Sequence, residues 1–264
     1  MIRPPGGPDD DPFALDGAVA VITGGGTGIG AATAAVLACH GARLVVAGRS
    51  ASALERTVAD VERRGGVAFA APTDVTDGAA CSRLVASALD HFGSLDILVN
   101  NAGGSRGRDD GAWSADDWDR MIELNLTSVW RLGREVAGIM ASRGGGAIVN
   151  VASAAALTPR PTHAPYGVAK AGVVHLTSVL AAEYGSRGVR VNCVAPGLVK
   201  TAGFVRAMER LGRDPEAQGG RVLVGRPGDP LELAFPILFL VSRAAPFVYG
   251  ETLFVGGGPR YWTA

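Results

Sequence analysis

A chain of 264 residues, 47% of them hydrophobic, is long enough to bury the core of one α/β domain. Its 25 Lys and Arg balance its 25 Asp and Glu, so no net field draws it to nucleic acid or to an acidic membrane face. Three widely spaced cysteines, Cys39, Cys81 and Cys193, build neither a disulfide framework nor a CxxC metal site, which suits a reducing cytoplasm.

Residues 1–12, rich in Pro, Gly and Asp, lack the apolar centre of a secretory signal and are expected to form a loose tail before a single catalytic domain over 13–264. No apolar stretch approaches the length of a membrane span; Leu233–Val241 is short and carries Pro236. Ala18–Thr23 is a nearly continuous apolar run ending in glycines, the pattern of a strand buried on both faces. A helix at Ile29–Ala38 and a strand at Arg43–Ala47 complete one βαβ unit. The alternation continues with a helix at Ser52–Arg64, a strand at Val67–Ala71, a helix at Asp77–Phe92 and a strand at Leu95–Asn100. A long helix near Ala115–Ala141, a strand at Ala147–Val151, a helix near Pro165–Tyr184 and a strand at Val189–Val194 follow. A helix near Leu231–Val241 and a strand at Thr252–Val255 close the series. The expected fold is therefore α/β: a doubly wound (Rossmann) domain whose seven-stranded parallel sheet carries helices on both faces and opens a ligand crevice at the carboxyl ends of the strands. Residues 201–226 show no strand and are rich in Arg and Gly, the composition of a lid over the substrate.

Thr23-Gly24-Gly25-Gly26-Thr27-Gly28-Ile29-Gly30 leaves the first strand and opens the first helix. Glycines let the backbone turn sharply and approach a pyrophosphate, whose charge meets the free N–H groups of a helix start. That assigns Gly24, Thr27, Gly28, Ile29 and Gly30 to cofactor binding. After the second strand stand Gly48-Arg49-Ser50 instead of the Asp or Glu that meets a ribose 2′-hydroxyl. A guanidinium at Arg49, next to Ser50, suits a 2′-phosphate, so NADP(H) is preferred and NAD(H) remains possible. Asp74-Val75 either faces the adenine amine or caps the next helix through Asp74 or Thr76. Asn100 to Gly104 (NNAGG) ends the fourth strand, where the small residues Asn101, Ala102 and Gly103 allow close contact with the cofactor.

Tyr166 and Lys170 stand four apart in an expected helix and so share a face. A neighbouring ammonium favours the phenolate and is expected to lower the phenol pKa, which makes Tyr166 a proton-transfer group. Ser153, at the end of the fifth strand, supplies a hydroxyl that can polarise a substrate oxygen.

TGGGTGIG at Thr23–Gly30, NNAG at Asn100–Gly103, Ser153 and YGVAK at Tyr166–Lys170 together resemble the short-chain dehydrogenase/reductase family, over about Phe13–Gly258. The resemblance extends to Asn125 in ELNL and to Pro196-Gly197 followed by Thr201. It implies that Asn125 completes a tetrad with Ser153, Tyr166 and Lys170, holding a water that links Lys170 to solvent. It implies further that Lys170 binds the nicotinamide ribose and that Pro196, Gly197, Val199 and Thr201 lie at the nicotinamide. A homotetramer paired through the helices near 115–141 and 165–184 is also implied. Two departures stand out: Thr27 replaces the Arg or Lys of many NADP-preferring relatives, and Gly256 replaces an Asp.

The histidines His40, His91, His163 and His175 show no metal-ligand spacing, so no metal is expected; His163 either lines the substrate mouth or sits in a solvated loop. The pocket walls are expected from Gly104–Trp113, Ala154–His163 and the 201–226 lid. Ala154 to Leu157 and Leu198 fit a hydrophobic ketone or secondary alcohol. Arg206, Arg210, Arg213 and Arg221 either meet an anionic acyl thioester or are solvated. The leading reading is hydride transfer between NADP(H) and a carbonyl or alcohol. Reduction of 3-oxoacyl or enoyl thioesters is a second, and a non-catalytic nucleotide sensor a third.

Overall fold

The computed structural model describes residues 11–105 and 112–258. Most of the expected tail (1–10), part of an expected pocket wall (106–111), the end of the chain (259–264) and the side chain of Arg221 lie outside the described residues.

Seven strands form one parallel sheet in the order β3-β2-β1-β4-β5-β6-β7. They are β1 (Val19–Thr23), β2 (Arg43–Gly48), β3 (Val67–Pro72), β4 (Ile97–Asn100), β5 (Gly146–Val151), β6 (Val189–Pro196) and β7 (Thr252–Val255). Their apolar runs are continuous because both faces are covered: Ala20 and Ile22 pack into one core, while Val21 between them packs into the other. On the first face lie α1 (Gly28–Cys39), α2 (Ala51–Arg63) and α8 (Leu231–Val241), through Leu37, Leu54 and Ile237. On the second lie α3 (Gly78–Phe92), α5 (Ser128–Ser142) and α6 (Ala164–Tyr184), through Leu84, Met140 and Leu180. Among the described residues no helix is long and apolar enough to cross a membrane.

The strand order reverses between β1 and β4, which puts the crevice at their carboxyl ends. Two side chains hold that point. Thr23 Oγ1 accepts from the N–H groups of Asn101 and Ala102, each at 3.0 Å, and Asn101 Nδ2 donates to Thr23 O at 2.9 Å. Deeper in the sheet, Asn100 and Asn150 are register partners on β4 and β5. Asn100 Nδ2 donates to Asn150 Oδ1 at 2.9 Å, and Asn150 Nδ2 donates to Thr177 Oγ1 on α6 at 3.0 Å.

Several expectations are corrected. The long helix near Ala115–Ala141 is interrupted: α4 (Ala115–Ile122) and α5 are joined by a π-turn at Glu123–Thr127. Apolar spacing does not register one extra residue in a helical turn, so the sequence pattern conceals the break. Neither Asp74 nor Thr76 caps α3; Asp77 does, accepting from Ala79 N at 2.9 Å, while Asp74 Oδ1 accepts from the Thr76 N–H and hydroxyl. Residues 201–226 form no strand, as expected; α7 (Ala202–Arg210) and a 3₁₀ turn at Glu216–Arg221 occupy most of them. The sheet ends move by a residue or two, because β6 continues to Pro196 and β4 starts only after Asp96 accepts from Val19 N at 2.8 Å.

The Asn100–Asn150–Thr177 chain is buried, so truncating its middle member strands the Asn100 amide, while the Thr177 hydroxyl still donates to Val173 O at 2.8 Å. Asn150→Ala is expected to lower the unfolding free energy in urea by about 1–3 kcal/mol; an unchanged denaturation midpoint would show that the chain contributes nothing to stability.

Candidate active site

The Gly-rich turn between β1 and α1 is shaped by close approach. Gly24 and Gly28 adopt φ of +65° and +55°, where a side chain is strained. A Cβ on Gly30 would lie 2.3 Å from Gly24 O, so only glycine lets α1 start this close to β1. Ser50, Asp77, Ser114 and Thr201 each cap the helix that follows with a side-chain oxygen, but Thr27, at the start of α1, does not. The first-turn N–H groups of α1 are therefore left to meet another acceptor. Beside them is a cavity of about 520 Å³ whose lining includes Gly24, Thr27, Gly28, Ile29, Asn101, Ala102, Gly103, Lys170, Pro196, Gly197, Val199 and Thr201. A turn that a Cβ would fill, uncapped donors and an adjoining cavity together fit a dinucleotide pyrophosphate.

The adenine end is more open. Arg49 is exposed at the end of β2, close enough for its charge to act on Asp74. Hydrogen bonds from Thr76, and more weakly Arg49, hold the Asp74 carboxyl below its ordinary value. Val75 is buried beneath. Ser50 is occupied as the cap of α2, accepting from Ala53 N at 3.4 Å.

On the other side of the crevice, Ser153 follows β5 and Tyr166 and Lys170 project from α6. Ser153 Oγ accepts from Ala155 N at 3.1 Å, and its hydrogen bond with Tyr166 favours the phenolate. Burial outweighs that bond and holds the Tyr166 phenol above its ordinary pKa. The sequence expectation of a lowered phenol pKa is thus corrected: Lys170 Nζ lies 5.8 Å from the centre of the Tyr166 ring, and desolvation dominates. Lys170 itself is 3% exposed and donates to Val151 O at 2.8 Å. Burial pulls its pKa from 10.5 down to about 8.

Asn125 sits in the π-turn, wholly buried. Its Nδ2 donates to Gly104 O at 3.0 Å and Met121 O at 3.1 Å, and its Oδ1 accepts from Gly104 N at 3.0 Å. A Cβ on Gly103 would lie 2.7 Å from Asn125 Oδ1 and 3.3 Å from Lys170 Nζ, so the amide and the ammonium border one small gap.

A second cavity of about 260 Å³ lies outward, lined by Ala154, Ala155, Val222 and Phe254 among others. Ser105, Ser153, Tyr166, Gly197 and Leu198 line both cavities, which places the two hydroxyls at the junction. His163 lines the outer cavity. Of the lid arginines, Arg206 lines the inner cavity and Arg210 and Arg213 are exposed.

Arg160 falls in the expected Ala154–His163 wall, whereas Phe254 was not singled out by sequence and enters the wall only because β7 pairs with β6. The glycine at 256 now has a physical reason. A Cβ there would come 2.6 Å from the Phe254 ring, and one on Gly197 would lie 2.5 Å from Gly256 Cα. Among the described residues no His, Cys, Asp and Glu group could hold a metal ion.

The model of the short chain dehydrogenase family matches residues 18–211. This chain belongs to that family. It is 38% identical over 247 residues to the 3-oxoacyl-[acyl-carrier-protein] reductase of a Synechocystis strain, covering 93% of this chain and 98% of that protein. It is 39% identical over 251 residues to gluconate 5-dehydrogenase of Gluconobacter oxydans, covering 94% and 96%. Among solved structures it resembles L-sorbose reductase from Gluconobacter frateurii complexed with NADPH and L-sorbose, with a TM-score of 0.89, 31% identity and coverage of 94% and 98%. The chain is accordingly an NAD(P)-binding oxidoreductase of CH–OH and C=O groups.

The buried ammonium makes a testable contribution to stability. Between pH 8 and 10.5 the unfolded chain carries a proton on Lys170 that the folded chain lacks, so stability rises with pH across that window; below pH 8 the whole cost of burying the charge is present. Lys170→Met removes this term. Urea titrations are expected to show the unfolding free energy of the variant, relative to wild type, falling by on the order of 3 kcal/mol from pH 8 to 10.5. A difference constant with pH would contradict the depressed ammonium.

Proposed function

We propose that this chain transfers a hydride between NADP(H) and the carbonyl or secondary-alcohol carbon of a small molecule, with Tyr166 moving the proton. The carrying observation is the junction: Ser153 and Tyr166 border both the dinucleotide-sized cavity and the outer one. In the reductive direction the carbonyl carbon takes a hydride and its oxygen takes the Tyr166 proton, while Ser153 donates a hydrogen bond to the same oxygen. The bound nicotinamide supplies that hydride.

Lys170, fixed to Val151 O, keeps a cation near the phenol and favours its charged form once the proton has left. Near its pKa of about 8 it can release a proton as well as hold one. Asn125 secures the Gly103–Gly104 turn beside it and, as the family resemblance implies, holds a water joining Lys170 to solvent. The turn at Gly24, Thr27, Gly28, Ile29 and Gly30 binds the pyrophosphate. Asp74 and Val75 flank the adenine, Asn101, Ala102 and Gly103 the adjoining ribose, and Pro196, Gly197, Val199 and Thr201 the nicotinamide end. Arg49, with Ser50, takes the 2′-phosphate, and its mild pull on Asp74 leaves the guanidinium open to a second anion. The same reading places a homotetramer in the cytoplasm, with α5 and α6 at the subunit contacts.

Reduction of 3-oxoacyl thioesters is the second reading, favoured by similarity to the Synechocystis reductase. NADPH oxidation against ketones, sugar acids and 3-oxoacyl thioesters separates the two. Tyr166→Phe is expected to keep NADPH binding while turnover falls about 1,000-fold or more; near-normal turnover would remove Tyr166 from the reaction. Arg49→Ala is expected to raise KM for NADPH about tenfold or more with little change for NADH. A variant whose NADPH to NADH preference equals the wild-type value would refute the 2′-phosphate contact.

A further inference from the structure

The outer cavity mixes Ala154, Ala155, Leu198, Val222 and Phe254 with the polar side chains of Ser105, Ser153, Thr158, His163 and Tyr166 and with one guanidinium. Arg160 lines the 260 Å³ cavity that holds the Ser153 and Tyr166 hydroxyls. It also lines a neighbouring groove of about 400 Å³, walled by Ala155, Leu157, Val168 and Ala171. Among the described residues its guanidinium has no hydrogen bond and no ion pair, and no Asp or Glu lines either cavity. Three other arginines are engaged, Arg226 with Glu232, Arg131 with Glu123 and Arg190 with two carbonyls. Arg160 shares its lack of such a partner among the described residues with Arg49 and Arg206, but alone of these it borders the outer cavity.

The segment carrying Arg160 is anchored. Trp113 Nε1 donates to Pro161 O at 3.2 Å, and the His163 N–H donates to Arg160 O at 2.9 Å. A planar fork of donors on an exposed residue of an anchored loop, bordering a cavity whose described lining holds no Asp or Glu, is matched by a carboxylate, which it can hold through two parallel bonds. At 260 Å³ the cavity lies below the roughly 300–1,000 Å³ of drug-sized pockets, which points to a compact substrate.

We propose that Arg160 binds the carboxylate of a small oxo- or hydroxy-acid whose reacting carbon lies against Ser153 and Tyr166. This deepens the hydride-transfer reading and rests on it. Arg160 is a specificity group: it sets which carbonyl compound is held, while the proton chemistry stays with Tyr166.

The probes are short oxo-acids and their methyl esters, offered with NADPH. Wild type is expected to prefer each acid over its ester by about tenfold or more in kcat/KM. Arg160→Ala is expected to lower kcat/KM for the acid about 10- to 100-fold, chiefly through KM, and so to shrink that preference. Arg160→Lys, which keeps the charge but not the fork, restores part of it. Equal use of acid and ester by wild type, or a preference untouched by Arg160→Ala, overturns the assignment.

Calorimetric binding of the acids to Tyr166→Phe loaded with NADPH gives a readout independent of turnover. Binding that weakens tenfold or more when Arg160→Ala is added supports the carboxylate site, and equal binding overturns it. If wild type turns over neither acids nor esters while acid binding still depends on Arg160, the carbonyl reading fails and the anion site stands. If the acids neither react nor bind, the anion site is wrong.

Discussion

Inside the molecule, Lys170 Nζ is tied to the carbonyl oxygen of Val151. An ammonium kept at 3% exposure is costly, and one main-chain carbonyl is its only directly bonded acceptor among the described residues. That single bond locks α6 against the carboxyl end of β5. It thereby sets where Tyr166, one helical turn earlier, and Ser153, two residues beyond Val151, stand relative to each other. The rest of the site depends on this alignment, since neither hydroxyl alone gives an oxygen-binding pair.

Further supports reinforce the same geometry from below. The Asn100–Asn150–Thr177 chain crosses from β4 through β5 to α6, and it fixes both the sheet register and the height of the helix. Residues so deeply buried tolerate little slack, because each polar group must find its partner or stay unsatisfied. Asn125 acts from the other direction. Its π-turn brings an amide up to Gly104, so the turn after β4 is held close to the ammonium.

The two cavities divide the labour of recognition. Inward, main-chain donors and glycines favour a cofactor recognised mainly by its phosphates and its shape. Outward, the described wall is assembled from distant segments: Ser105 in the turn after β4, the stretch from β5 into α6, Gly197 and Leu198 after β6, Val222, and the end of β7. A fold hosts many functions through the side chains grafted on it, so substrate choice is separable from the framework that positions the cofactor crevice.

Much of this was legible in the sequence. The doubly wound fold followed from apolar runs alternating in period, and the Gly-rich turn, NNAG, Ser153 and the Tyr166–Lys170 spacing followed from local chemistry that needs no partner from elsewhere. Other features depend on atoms brought together from far along the chain. Burial, not the neighbouring charge, dominates the phenol, because desolvation is decided by everything packed around it. The π-turn, the Asp77 cap, the match between Phe254 and Gly256, and Arg160 bordering a cavity whose described lining holds no carboxylate likewise appear only in three dimensions. By itself the sequence determined the order of the strands and helices and pointed to the candidate site residues, since periodicity and spacing are properties of neighbours along the chain. Tertiary structure alone decided their electrostatics and the shape of the substrate wall, since dielectric surroundings and close contacts are properties of neighbours in space.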